Sequence, residues 1–303
     1  MTAKFDMSKI CDMHIHCGPE PIPRKFDCLG LSRELKAYDM GGAVIKSHFY
    51  STVPYAALSD IYAEGNLWGS IVLNHYVGGI NPDVIRGSLG LKRNGVSLLR
   101  VVWMPTMHAE SHLKMQMEHG QVFDIPAEWT GGDKAGGSRR IEEIAPINIL
   151  VPEIQDNLKE VLSLIAANDI VLATGHLSRD EVFYLVPLAK EMGVKKIILT
   201  HPVYEATGLT VDEIAELCAI DGVYAEISYG LMPIDNLPLE VIAEPILKLG
   251  PDKIVLTTDL GQPKQITPPE GMQKFLGELA GLGISEEALQ KMAAENPAYL
   301  LGI

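Results

Sequence analysis

Residues 170–201 read IVLATGHLSRDEVFYLVPLAKEMGVKKIILTH. The stretch begins and ends with a short apolar run, and each run stops at a histidine, His176 and His201. Between them, SRDEVFYLVPLAKEMG has helical periodicity and closes on Gly193, as a helix stop should. Strand, helix and strand in this order predict a crossover unit with the two strands parallel and covered by helices.

The unit recurs along the chain. Strands are predicted near 10–16, 43–48, 69–76, 96–104, 170–176, 196–201, 222–228 and 253–259, with stretches such as LSRELKAYDMGG and EIQDNLKEVLSLIAAND between them. Eight strand–helix repeats predict an α/β fold of (β/α)8 TIM-barrel type. An open doubly wound sheet is the competing architecture. A GxGxxG or GxxxxGK[ST] after the first strand would favour it, and neither is present. The rhythm breaks once, over roughly 105–150, where HGQVFDIPAEWTGGDKAGGSRR is rich in glycine and polar residues. We read this as an inserted loop after strand 4, either a plain surface loop or a lid. Residues 1–303 then form a single barrel domain.

The 303 residues carry a formal net charge of −14, and 47% are hydrophobic. A sizeable core is available. Nucleic acid and anionic membrane surfaces are poor partners for such an acidic chain, and no apolar stretch is long enough to span a bilayer. Cys11, Cys17, Cys28 and Cys218 show no CxxC spacing, so neither a disulfide framework nor a zinc ribbon is expected. The N-terminus has no signal-peptide layout, and a cytoplasmic location is the expectation. Oligomeric state is not legible; a homo-oligomer is compatible with the sequence.

Side chains alternate on a strand, so His14 and His16 in DMHIH share one face with Asp12. His176, His201 and Asp259 each follow an apolar run. In a (β/α)8 barrel that is the catalytic end, so four histidines and one aspartate converge there. Each residue alone is unremarkable, since a strand-end Asp is often a helix cap. Together, neutral imidazoles and a carboxylate suit a divalent ion such as zinc.

With HxH on the first strand, single histidines on the fifth and sixth and Asp on the eighth, the chain resembles the amidohydrolase superfamily of metal-dependent hydrolases. The closing AAENPAYLLGI is similar to that superfamily's final helix. DMHIHCGPEP, LNHYVGGINP, TGHLS and DLGQP together look like an uncharacterised amidohydrolase-like family. The resemblance implies that His14, His16 and Asp259 hold one metal ion, that His176 and His201 hold a second or orient substrate, and that Asp259 is the general base. It implies zinc, one ion or two, with manganese, iron or nickel as alternatives. The implied reaction is hydrolysis of a C–N or C–O bond in a small molecule: an amide, a cyclic amide or a lactone. Similar barrels also act as decarboxylases, hydratases or phosphoesterases.

One departure from that pattern stands out. The fourth strand, LLRVVWMPT, offers no lysine or glutamate to bridge two ions. Lys46, in the apolar run AVIKSH, and Glu110 are the substitute candidates, with Lys46 preferred as a metal-centre residue. HAESH (His108, Glu110, His112) is a further metal-binding candidate. Arg24, His48, His75 and His108 are the candidate substrate contacts, Arg24 through a bidentate grip on a carboxylate.

Overall fold

The computed structural model describes residues 5–63, 65–126, 130 and 137–303. The eight predicted strands are all present: β1 (Cys11–His16), β2 (Gly42–Lys46), β3 (Leu67–Val72), β4 (Leu99–Trp103), β5 (Val171–Ala173), β6 (Ile197–Leu199), β7 (Val223–Ser228) and β8 (Ile254–Thr257). They form one sheet in chain order, and each neighbouring pair from β1 to β8 is parallel. The sheet closes between β1 and the end of β8. His16 N donates to Leu260 O at 2.8 Å, and Asp259 N donates to His14 O at 2.8 Å.

Asp12 seals that seam. Its buried carboxylate accepts from Thr258 Oγ1 at 2.5 Å, from Thr258 N at 3.1 Å and from His14 N at 3.0 Å. Burial pushes its pKa up to about 7 against the pull of these bonds. The sequence placed Asp12 on the face of the histidines, and its task there is to join the first strand to the last.

Helices follow the strands on the outside: α1 (Cys28–Ala37), α2 (Val53–Ala63), α3 (Pro82–Ser88), α4 (Glu110–Glu118), α5 (Gln155–Ala167), α6 (Arg179–Glu191), α7 (Val211–Cys218), α8 (Leu239–Leu249) and α9 (Pro268–Gly281). The helix after His176 starts sharply because Ser178 and Glu181 form a capping box. The closing segment ends in a helix over Asn296–Leu301. Asn296 Nδ2 donates to Pro251 O and Ile254 O, which fastens this segment to the start of β8. Leu300 and Leu301 are fully buried, each contributing about 1.5–3 kcal/mol.

The excursion after β4 is more ordered at its start than its composition suggests. It contains α4, and a short 3-10 turn covers Ile141–Glu143. Asp124 pins its described part to the barrel. The buried carboxylate accepts from Tyr76 Oη at 2.7 Å and from Arg139 N at 2.8 Å. Residues 131–136, the centre of the expected lid, lie outside the described residues. No helix among the described residues is long and apolar enough to cross a membrane.

Candidate metal centre and pocket

Two backbone features aim the site residues. His201 and Asp259 follow β6 and β8 with positive φ, 24° and 53°, a region uncommon outside glycine that costs about 1–3 kcal/mol per residue. Gly175 and Gly261 make the close approaches possible. A Cβ on Gly175 would lie 2.4 Å from Met104 O, and one on Gly261 would lie 2.0 Å from His16 O. Neither position tolerates a side chain.

His14 and His16 converge on a single atom. The Nε2 of each lies 3.0 Å from Asp259 Oδ1, and one ligand atom from each of the three residues lies within 4.8 Å of the others. Glu226, from the middle of β7, sets the orientation. Its carboxylate accepts from His14 Nδ1 at 2.7 Å, from Thr257 Oγ1 at 2.8 Å and from His201 N at 3.1 Å. A ligating histidine is usually held in this way, with its outer nitrogen donating to a carboxylate. Burial opposes the charge on Glu226, but His14 outweighs it and brings the carboxyl down to about 2. Asp259 is likewise held well below the usual carboxylate range, by His14 and His16 against burial.

Lys46 completes this end of the barrel. It is buried, its Nζ lies 2.8 Å from His14 Nε2, and it sits 5.5 Å from the centre of the Trp103 ring. Burial lowers its pKa. The Lys46 Nζ–His14 Nε2 contact is at hydrogen-bonding distance, and the same Nε2 faces Asp259 Oδ1 at 3.0 Å. On β4, which offers no bridging lysine or glutamate, the chain presents Trp103, whose ring centre lies 5.6 Å from that of His14.

Across the pocket, His176, His201, His112 and Tyr204 form a second group, with ring centres 4.6 Å apart for His112 and His176 and 5.0 Å for His176 and His201. Burial holds His176 well below its ordinary pKa, His201 at about 4 and His112 at about 3, so all three are neutral near pH 7. His201 Nδ1 and His112 Nε2 are buried and have no hydrogen-bond partner among the described residues. Neutral imidazoles, orphaned ring nitrogens and the His14–His16–Asp259 focus all fit a divalent transition ion.

A pocket of about 580 Å³ opens onto both groups. Arg24, His48 and Lys46 line it, as do Ile22, Pro23 and Leu231 and, from the excursion, Thr130. Arg24 is nearly buried. Its Nε donates to Glu20 Oε1 at 2.5 Å, and its Nη2 lies 3.2 Å from His16 Nδ1.

A family model matches residues 9–226. The chain belongs to DUF6282, a family of unknown function. No curated protein matches it significantly. Among solved structures, this DUF6282 chain is similar to an amidohydrolase from Burkholderia multivorans, with 11% identity, TM-score 0.58 and coverage of 97% of this chain and 99% of that one. It is similar to a PTE-like lactonase variant from Deinococcus radiodurans, with 14% identity, TM-score 0.57 and coverage of 97% and 95%. An amidohydrolase from Pseudomonas aeruginosa gives 13% identity, TM-score 0.53 and coverage of 96% and 95%. The amidohydrolase resemblance of the sequence is thus matched at the level of fold.

Several candidates fall outside the pocket. Glu110 is exposed at the start of α4, accepts from Asn148 Nδ2 and does not line the pocket. His75 Nε2 donates to Ala145 O at 2.7 Å, and the backbone N–H of His75 donates to His108 Nδ1 at 3.0 Å. His108 Nε2 faces Asp124, 3.3 Å away. Neither histidine lines the pocket; both belong to the Asp124 network that holds the excursion. HAESH is not one cluster either, because α4 begins inside it and turns His112 towards His176, 2.9 Å away, while His108 faces Asp124. Glu226 was missed. The signal was there, a carboxylate in the apolar run VYAEIS.

Proposed function

We propose that this DUF6282 chain is a metal-dependent hydrolase acting on a C–N or C–O bond of a small molecule. The observation that carries the reading is the convergence of His14 Nε2 and His16 Nε2 on Asp259 at the C-terminal end of the barrel, beside the pocket. In this reading His14, His16 and Asp259 hold a divalent ion, most simply zinc, and Lys46 belongs to the same centre. His176 and His201 take a second ion or orient the substrate. A bound ion supplies a Lewis acid for the attacked carbonyl and lowers the pKa of water from 15.7 to about 7. Asp259 accepts the proton of the attacking water and passes it to the leaving group. Glu226 holds His14 by its outer nitrogen. His48, on the pocket wall, contacts the substrate. The apolar wall around Ile22, Pro23 and Leu231 excludes water from the reacting bond.

The lactonase among the similar folds makes lactones the first substrates to offer, followed by cyclic amides. The test is a panel of such compounds, scored for a new carboxylate, for inorganic phosphate and for carbon dioxide. The reading expects carboxylate release that disappears in Asp259→Asn while the fold persists. Release of carbon dioxide or phosphate alone would replace it with decarboxylation or phosphoester cleavage.

A further inference from the structure

The end of the barrel away from the pocket holds a cation without a counterion. Arg100 is the second residue of β4, and Lys196 stands immediately before β6, so both belong to the N-terminal rim. Each is only 6% exposed. Lys196 has a partner, since its Nζ donates to Asp169 Oδ2 at 2.7 Å. Arg100 has no ion pair among the described residues, and its Nε is buried with no hydrogen-bond partner among them. The Trp68 ring lies 6.0 Å from its guanidinium, at the outer limit of an attraction between cation and ring, and Arg93 already covers that ring at 4.3 Å. Burial lowers the pKa of Arg100, but an arginine keeps its proton in a protein. A buried charge left without a partner is strongly unfavourable.

The two cations meet at one place. A Cβ built on Gly302, in the turn after the closing helix, would lie 3.0 Å from Arg100 Nη2 and 3.8 Å from Lys196 Nζ. The two groups are therefore close enough for one oxyanion to reach both. Gly302 has a φ of 66°, and a side chain there would crowd the guanidinium. Asp169 is half exposed and serves Lys196, so two positive charges face one negative.

We propose that Arg100 and Lys196 bind a phosphate ion at the N-terminal rim, between β4, β6 and the closing segment. A guanidinium offers five N–H donors in one plane, and an ammonium offers three, of which one serves Asp169 here. The two cations come from different strands. A tetrahedral oxyanion can turn one edge to the guanidinium and a further oxygen to the ammonium. A carboxylate would spend both its oxygens on the guanidinium. The chain as a whole repels anions, with a net charge of −14, so a local pair of cations is what such a site requires. The bound ion ties the closing segment to two strands and stabilises the fold. That division is usual in this architecture, with stability at the N-terminal rim and chemistry at the other.

The test is calorimetric titration of inorganic phosphate into the chelator-stripped full chain, against sodium chloride of matched ionic strength, in the wild type and in Arg100→Met. The wild type should bind phosphate and melt at a higher temperature with it. Arg100→Met should bind it about tenfold or more weakly, the scale of one lost hydrogen bond to a charged group, and should lose the rise in melting temperature. Both proteins keep the pocket intact, so phosphate bound there acts on both alike. Equal phosphate affinity in the two proteins overturns the proposal, and so does a wild type that binds no phosphate. A second measurement needs no variant. Wild-type crystals soaked in arsenate, a tetrahedral stand-in for phosphate, should give an anomalous arsenic peak in contact with Arg100 and Lys196. Arsenate crystals with no peak at those two residues overturn the proposal whether or not the variant folds.

Discussion

Glu226→Gln is the most informative single substitution, because the side chain keeps its shape and loses one acceptor oxygen. The carboxylate now serves three donors: His14 Nδ1, Thr257 Oγ1 and His201 N. An amide has one oxygen and an NH2, so at least one of these donors will face another donor. A buried donor left unpaired costs about 1–3 kcal/mol. A carboxyl held near 2 rather than 4.5 favours its anion by about 3 kcal/mol, which gives the same scale. The metal-free variant should therefore melt several degrees lower. Its zinc affinity should fall about 10–100-fold, because His14 loses the group that fixes its outer nitrogen. Competition with a chelating dye measures the affinity, and a thermal melt measures the stability. Wild-type zinc affinity in a folded Glu226→Gln protein would refute the role given to Glu226.

The same carboxylate gives a pH signature. Its folded pKa, about 2, lies below the ordinary 4.5, so its stabilisation is complete above about 4.5 and is lost as pH falls towards 2; metal-free wild type should lose stability over that window faster than Glu226→Gln in matched melts. Lys46→Ala should lower the metal content by elemental analysis, and formate or propionate should partly restore activity if Lys46 serves as a modified ligand; unchanged metal content would remove Lys46 from the centre. Asp124→Ala strands the Tyr76 hydroxyl and the Arg139 N–H, so it should cost about 2–4 kcal/mol in denaturant melts and leave metal content intact; loss of metal there would join the Asp124 network to the site.

The barrel was legible because its signal is local and repeated: eight apolar runs separated by helical periods. The strand-end residues His176, His201 and Asp259 were legible for the same reason, since each marks where an apolar run stops. Residues that act from within a strand were harder to see. Lys46 stands out as a charge in an apolar run, and Glu226 carries the same signature in β7. Asp12 shows why spacing alone misleads: it shares a face with His14 and His16, but it lies lower in the barrel, where the first strand meets the last. His75 and His108 show the opposite error. Both sit near the correct end of the barrel, but Asp124 and Ala145 draw them away from the pocket, and those partners belong to an excursion with no regular period to read. His112 reaches the pocket because α4 begins at Glu110, a boundary that the sequence did not mark.

The central claim is that His14, His16 and Asp259 together hold a metal ion. Diffraction from crystals of zinc-loaded protein, recorded on both sides of the zinc absorption edge, tests it directly. The account predicts an anomalous peak in contact with His14 Nε2, His16 Nε2 and an Asp259 oxygen, absent from crystals of the His14→Ala, His16→Ala double variant. Zinc-loaded crystals with no peak at those three residues, or a peak that survives in the double variant, would contradict it.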